Sequence, residues 1–165
     1  MYKKVYYTDQ QIRSWVHSIM RDMYADNWKP DYIVGLSRGG LTPAVMMSHY
    51  LNIPMLSLDV SLRDGGMCVS NLGMAEDAFE GKKILIVDDI NDTGATFNWI
   101  MEDWSGGCYP SDEKWSKIWN TNVRFAVLIN NEDSEFSVVD YVGIDINKFE
   151  DPVWCVFPWE NWWNE

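Results

Sequence analysis

The chain has 165 residues, 47% hydrophobic and 23% charged, with a formal net charge of -12. That length suits a single domain, residues 1–165, with a real core, and the mixed composition excludes a disordered chain. The acidic balance argues against nonspecific nucleic-acid binding, which needs lysine and arginine to displace counterions, so any anionic ligand must be gripped by local devices.

The first residues, MYKKVYYTDQQ, lack the apolar core of a signal peptide. Thr8 and Gln11 have capping-box spacing, and Ile12, Trp15, Val16, Ile19 and Met23 follow at helical intervals. An amphipathic helix ending near Asn27, ahead of Lys29-Pro30, is predicted. YIVGL (32–36) reads as a buried strand, LTPAVMMSHYL as a helix stopped by Asn52 and Pro54, and PMLSLDV (54–60) as a second strand. Residues 62–80 carry several glycines and no long periodicity, which predicts a mobile loop or weak hairpin.

KILIVDD (83–89) is the clearest strand, and GATFNWIMEDW (94–104) a helix. SGGCYPSD reads as a loop, with a helical turn at EKWSKIW; VRFAVLI (123–129) is a buried strand, followed by a polar turn and VVDYVG. The apolar tail, VWCVFPWENWW, is expected to pack back on the rest. No run approaches the roughly 18 to 20 apolar residues of a membrane span. Cys68, Cys108 and Cys155 are odd in number and far apart, without metal-ligand spacing, and read as reduced thiols of a cytoplasmic protein.

Strands of continuous apolar character alternating with helices predict an α/β fold with a mostly parallel sheet covered on both faces. Ligands of such sheets sit beyond the carboxyl ends of the strands. Two predicted strands end there in loaded loops, YIVGL in SRGG and KILIVDD in INDTGAT.

An apolar strand ending in Asp88-Asp89 is compatible with the magnesium site of a nucleotide hydrolase, but no GxxxxGK[ST] loop accompanies it. A phosphoacceptor receiver domain would carry the run near its N-terminus rather than in mid-chain. The turn beyond Ile90-Asn91 is more specific. Asp92-Thr93-Gly94-Ala95-Thr96 lies between a strand and a helix, where glycine admits close approach and successive N–H groups form an anion cradle.

The string DDINDTGAT resembles the defining motif of the type I phosphoribosyltransferases, and VGLSRGGLTPA resembles their pyrophosphate loop. The likeness runs almost end to end and is greatest to the xanthine-guanine (6-oxopurine) branch, whose hood is similar to Trp154-Cys155-Val156-Phe157-Pro158-Trp159-Glu160. It implies the type I phosphoribosyltransferase fold, with a hood mainly in residues 130–165 and a lid at about 62–80 carrying Arg63, Gly65 and Gly66. The implied activity is transfer of a 5-phosphoribosyl group from phosphoribosyl diphosphate to a nucleobase, giving a nucleoside monophosphate and pyrophosphate.

By the same resemblance Asp88 and Asp89 accept from the ribose hydroxyls and help hold Mg²⁺, itself carried mainly by the donor and water. Asp92 to Thr96 take the 5′-phosphate, and Ser37, Arg38, Gly39 and Gly40 take the diphosphate, with a cis peptide between Ser37 and Arg38. Asp92 is the implied base at a purine N7, and Arg38 offsets charge on the leaving group. Trp154 is expected to stack on the base, or else to belong to the core of the hood, while Cys155 and Val156 read the ring edge. Where the relatives carry a lysine that donates to the 6-oxo group, the matching position is Asn131. The family's habits imply a homodimer, while the acidic balance and the lack of a long apolar run lead us to expect no nucleic-acid or membrane partner. A non-catalytic sensor of the donor or of nucleotides, and a pyrimidine phosphoribosyltransferase, remain as alternatives at this stage.

Overall fold

The computed structural model describes residues 2–62, 68–136 and 138–164. Five strands form one wholly parallel sheet: β2 (Tyr32–Ser37), β3 (Met55–Asp59), β4 (Ile84–Asn91), β5 (Val123–Asn131) and β6 (Tyr141–Ile146). Their order is β3-β2-β4-β5-β6, with registers such as Gly35 opposite Val87 and Asp88 opposite Val127. The central strands β4 and β5 are apolar on both faces because both are covered. Ile84 to Val87 and Phe125 to Ile129 are buried without a break.

One covering layer contains α1 (Asp9–Ala25) and α2 (Leu41–Leu51). Ile12, Trp15, Val16, Ile19 and Met23 of α1 are buried against Leu85, Ala126 and Leu128. The capping box forms, with Gln11 N–H donating to Thr8 Oγ1 at 3.2 Å and Thr8 N–H to Gln11 Oε1 at 2.9 Å. The opposite layer contains α3 (Leu72–Phe79), α4 (Ala95–Gly107) and α5 (Trp115–Ile118). Phe97, Ile100, Trp104 and Trp115 pack there against Ile84, Ile86 and Phe125.

Three elements differ from expectation. Residues 72–79, read as part of a loop, form α3. The Asn71 side chain accepts from Met74 N–H at 3.0 Å, and Met74, Ala75 and Ala78 bury the helix. Arg63, Gly65 and Gly66 lie outside the described residues; beside them a single antiparallel bridge joins Val60 and Cys68. Secondly, β6 begins at Tyr141, later than VVDYVG suggests. Thirdly, the charged KKVY forms β1 (Lys3–Tyr6) and pairs in parallel with β7 (Val153–Val156), Lys4 facing Trp154 in register. The tail therefore returns as a strand, and a two-stranded hood draws on both ends of the chain. Cys68, Cys108 and Cys155 are free, and no helix among the described residues is long and apolar enough to cross a membrane.

Candidate active site

At the carboxyl ends of β2 and β4 lies a cavity of about 1000 Å³, walled on its far side by the hood. Ser37, Arg38 and Gly39 line it from the β2–α2 turn, Asp88, Asp89, Asp92, Thr93, Gly94, Ala95 and Thr96 from the end of β4 and the turn into α4, and Trp154 and Cys155 from β7. Residues 116 positions apart in the chain, Arg38 and Trp154, thus share one space. Among the described residues that line it, Gly40, Asn131 and Val156 are not found.

Each turn is shaped by close packing. The Ser37–Arg38 peptide bond is cis, the geometry expected there. Ser37 Oγ donates to Asp59 Oδ1 at 2.5 Å, tying the turn to the end of β3. Gly40 is buried rather than facing the ligand space, because a Cβ there would stand 2.2 Å from Val87 O. The two glycines of SRGG therefore do different things. Gly39 lets the turn pass over the Asp89 carboxylate, whose Oδ2 would lie 2.0 Å from a Cβ, and Gly40 lets it rest on β4.

After the buried Val87, Asp88 and Asp89 are half-buried. Asp88 Oδ1 accepts from Asp89 N–H at 2.9 Å, and Asp89 Oδ1 from Ile90 N–H at 2.7 Å. Asn91 is 3% exposed and anchors the turn from beneath. Its Nδ2 donates to Asn130 Oδ1 and to Phe136 O, and its Oδ1 accepts from Ser134 Oγ at 3.0 Å. Glu135 N–H adds a bond to Thr93 O at 2.9 Å. The segment after β5 thus braces the Asp92–Thr96 turn. Gly94, at φ 90°, caps α4, and the helix-start amides beyond it face the anion-binding end of the helix dipole.

Asn131 lies elsewhere than its sequence position suggested. It is 5% exposed and its amide is committed to the protein: Nδ2 donates to Asp92 O at 2.9 Å, and Oδ1 accepts from Asp133 N–H and Lys148 N–H at 3.3 and 3.0 Å. The cation in this part of the cavity is instead Lys148, between β6 and β7, with Nζ 2.9 Å from Asp92 Oδ1. Sequence reading missed it because it belongs to no motif; the clue was a lone lysine in the acidic stretch Asp145 to Asp151. Asn131→Ala removes three hydrogen bonds from a buried site and should destabilise the protein by about 2 to 3 kcal/mol, read by urea unfolding.

The hood wall is aromatic. Trp154 is 43% exposed toward the cavity. Trp159 stacks on Phe157 with centroids 5.0 Å apart and planes 6° from parallel. Cys155 is buried, 3.7 Å from Tyr7 Oη. Burial pushes its thiol up, with Lys148 pulling the other way and Asp92 and Asp89 adding to the rise, so it stays a neutral wall group. The carboxylates on one side, the backbone turn on another and the aromatic wall on a third can accommodate a sugar diol, a phosphate and a flat ring together.

A model of the phosphoribosyl transferase domain family matches residues 4–159. Xanthine phosphoribosyltransferase 1 of Saccharomyces cerevisiae is 23% identical over 155 residues, covering 79% of this chain and 74% of the yeast protein. Hypoxanthine-guanine phosphoribosyltransferase of Schizosaccharomyces pombe is 24% identical over 164 residues, covering 82% of this chain and 79% of its own length. The crystal structure of a purine phosphoribosyltransferase from Pyrococcus horikoshii matches with a TM-score of 0.67 and 28% identity, over 96% of this chain and 95% of that one.

Proposed function

The chain belongs to the phosphoribosyl transferase domain family, and from that membership we propose that it transfers a 5-phosphoribosyl group from phosphoribosyl diphosphate to a 6-oxopurine, releasing pyrophosphate. The observation that carries this reading is the shared cavity of about 1000 Å³, which brings Asp88 and Asp89 together with the Asp92–Thr96 turn and the Ser37–Gly39 turn. One donor molecule needs all three: acceptors for its ribose hydroxyls, amides for its 5′-phosphate, and a basic glycine turn for its diphosphate. The oxopurine names of the relatives favour that base class over a pyrimidine.

In this reading the bond from ribose C1′ to the diphosphate oxygen breaks, a bond from C1′ to a ring nitrogen forms, and the base loses a proton. Asp92 accepts that proton. Its carboxylate is 19% exposed and held by Lys148 at 2.9 Å, a fixed acceptor rather than a swinging surface acid. Arg38 and the amides of its turn offset the charge that collects on the departing pyrophosphate, a contribution that grows as water is excluded. The aromatic hood, with Trp154 against the flat face of the base, holds the ring nitrogen near C1′.

Mg²⁺ suits these residues on the chemistry of the donor set. Asp88 and Asp89 are adjacent, half-buried carboxylates, and no group of three or more His, Cys, Asp or Glu side chains among the described residues is arranged to hold a metal unaided. One or two carboxylates completed by phosphate oxygens and water is a usual magnesium environment. When bound, the ion supplies Lewis-acid stabilisation of the diphosphate. Chelation by EDTA should therefore abolish turnover, and added Mg²⁺ should restore it; activity indifferent to EDTA would remove the metal from the scheme.

The test of the function is pyrophosphate release with Mg²⁺ and phosphoribosyl diphosphate, offered guanine, xanthine, hypoxanthine, adenine, uracil and orotate in turn. Turnover on one or more of the three oxopurines is expected. Inactivity on all six, with the donor still bound, would instead support a sensor.

A further inference from the structure

A second cavity, of about 700 Å³, opens at the other end of the sheet from the site above. The last turns of α1 and α2 frame it, together with residues 27–29, which lead into the amino end of β2; the first cavity lies beyond the carboxyl end of the same strand. His17, Arg21 and Tyr24 line it at positions i, i+4 and i+7, one stripe of α1. Lys29 adds a second cation, and Tyr50 of α2 a second tyrosine. Trp28 is 7% exposed and held in place, with the Arg124 guanidinium 4.7 Å from its ring centroid and Tyr141 packed at 6.2 Å. Tyr24 and Tyr50 are 88% and 68% exposed, so their rings are open at the rim.

The charge of this cavity runs against that of the chain. Asp and Glu outnumber Lys and Arg by 25 to 13, yet among the described residues no carboxylate lines it. Asp26, close by in the sequence, is spent elsewhere: it accepts from Tyr141 Oη at 3.0 Å and pairs with Arg124 at 3.5 Å. Arg21, Lys29 and His17 enter no ion pair among the described residues. The negative ends of the two helices are capped, because Asp22 O, Met23 O and Tyr24 O accept from the N–H groups of Asp26, Trp28 and Asn27, and Ser48 O and His49 O from those of Ile53 and Asn52. Those amides are thereby occupied too, so the donors left for an anion are side chains. A phosphate dianion is usually cradled by main-chain amides as well; two cationic side chains, one of them a guanidinium fork, suit a single carboxylate.

We infer that this cavity is a binding site for a small aromatic carboxylate, its flat ring seated among Trp28, Tyr24 and Tyr50 and its anionic group received by Arg21 and Lys29. The volume is that of a small-molecule site, and aromatic walls beneath unpaired cations complement both halves of such a ligand.

The experiment is calorimetric titration of the whole chain with 2-naphthoate and with the neutral 2-naphthylmethanol. Naphthoate should bind one per chain, at least about tenfold more tightly than the alcohol, the usual worth of a hydrogen bond to a charged group. Arg21→Gln with Lys29→Gln, both at exposed positions, should weaken naphthoate by about tenfold or more and the alcohol by less than about threefold. Tyr24→Ala with Tyr50→Ala should weaken both probes. Lys82→Gln with Lys117→Gln removes the same charge from the opposite layer of the protein and should change neither. Equal binding of naphthoate and alcohol, or no binding of naphthoate, would overturn the inference. So would a naphthoate site lost in Arg38→Gln and intact in Arg21→Gln with Lys29→Gln, which would place the probe in the first cavity. If naphthoate fails to bind and the tyrosine pair of substitutions breaks a dimer in sedimentation, the face belongs to a second copy of the chain and the inference falls.

Discussion

Replacing Asp92 with alanine should lower kcat by about 10²- to 10⁴-fold, the span usual for loss of a positioned general base, while KM for the donor moves by no more than about threefold. The split arises from where the atoms lie. The 5′-phosphate is assigned to the amides of the turn, and the backbone of Asp92 is held by Asn131 at 2.9 Å whatever its side chain. Deleting the carboxylate thus leaves the cradle standing and removes an acceptor needed only as the base loses its proton. Steady-state kinetics in both substrates decides the matter: losses of equal size in kcat and in donor affinity would mean that Asp92 serves the phosphate turn and not the proton.

The second large effect is expected at Gly94. A Cβ there would stand 2.4 Å from Phe136 N, 2.8 Å from Ser134 Oγ and 2.9 Å from Phe136 Cβ, at a φ of 90° that side chains rarely adopt. Strain and overlap each cost about 1 to 3 kcal/mol, so Gly94→Ala should lose about 3 to 5 kcal/mol in urea unfolding. Those contacts are the brace under the phosphate turn, so any folded fraction should bind the donor at least tenfold more weakly, by the usual worth of charged hydrogen bonds. Gly106, in α4, is the control: a Cβ there meets nothing within 4 Å, so Gly106→Ala should be neutral or stabilise by up to about 1 kcal/mol. Like behaviour of the two variants would deny the turn its special geometry.

How far the sequence foretold this molecule depended on the length scale of each signal. The strands β2, β4 and β5 are continuous apolar runs, and α1 announces itself by both its period and its cap; all four stand close to where they were expected. α3 is eight residues long, too short for periodicity to stand out from the glycine-containing stretch around it, and exists because Asn71 caps it and three side chains bury it. β1 is two lysines, a valine and a tyrosine, and only its partnership with β7, some 150 residues away, makes it a strand.

The site divides in the same way. The Ser37–Gly39 and Asp88–Thr96 loops are contiguous motifs at strand ends, so the parallel topology was enough to bring them together. Asn131 was placed by position along β5, but position does not say where an amide points, and its atoms are drawn beneath the Asp92 turn. Lys148 enters through a connection whose path no local pattern encodes. The base end of the cavity is therefore the part that had to be seen in three dimensions.

The most direct measurement is a crystal structure with GMP and Mg²⁺ at the cavity. The 5′-phosphate should lie within hydrogen-bond distance of the backbone amides of Thr93 to Thr96, and the ribose hydroxyls should be received by Asp88 and Asp89. A phosphate seated away from that turn, or a ribose turned from both carboxylates, would contradict the account.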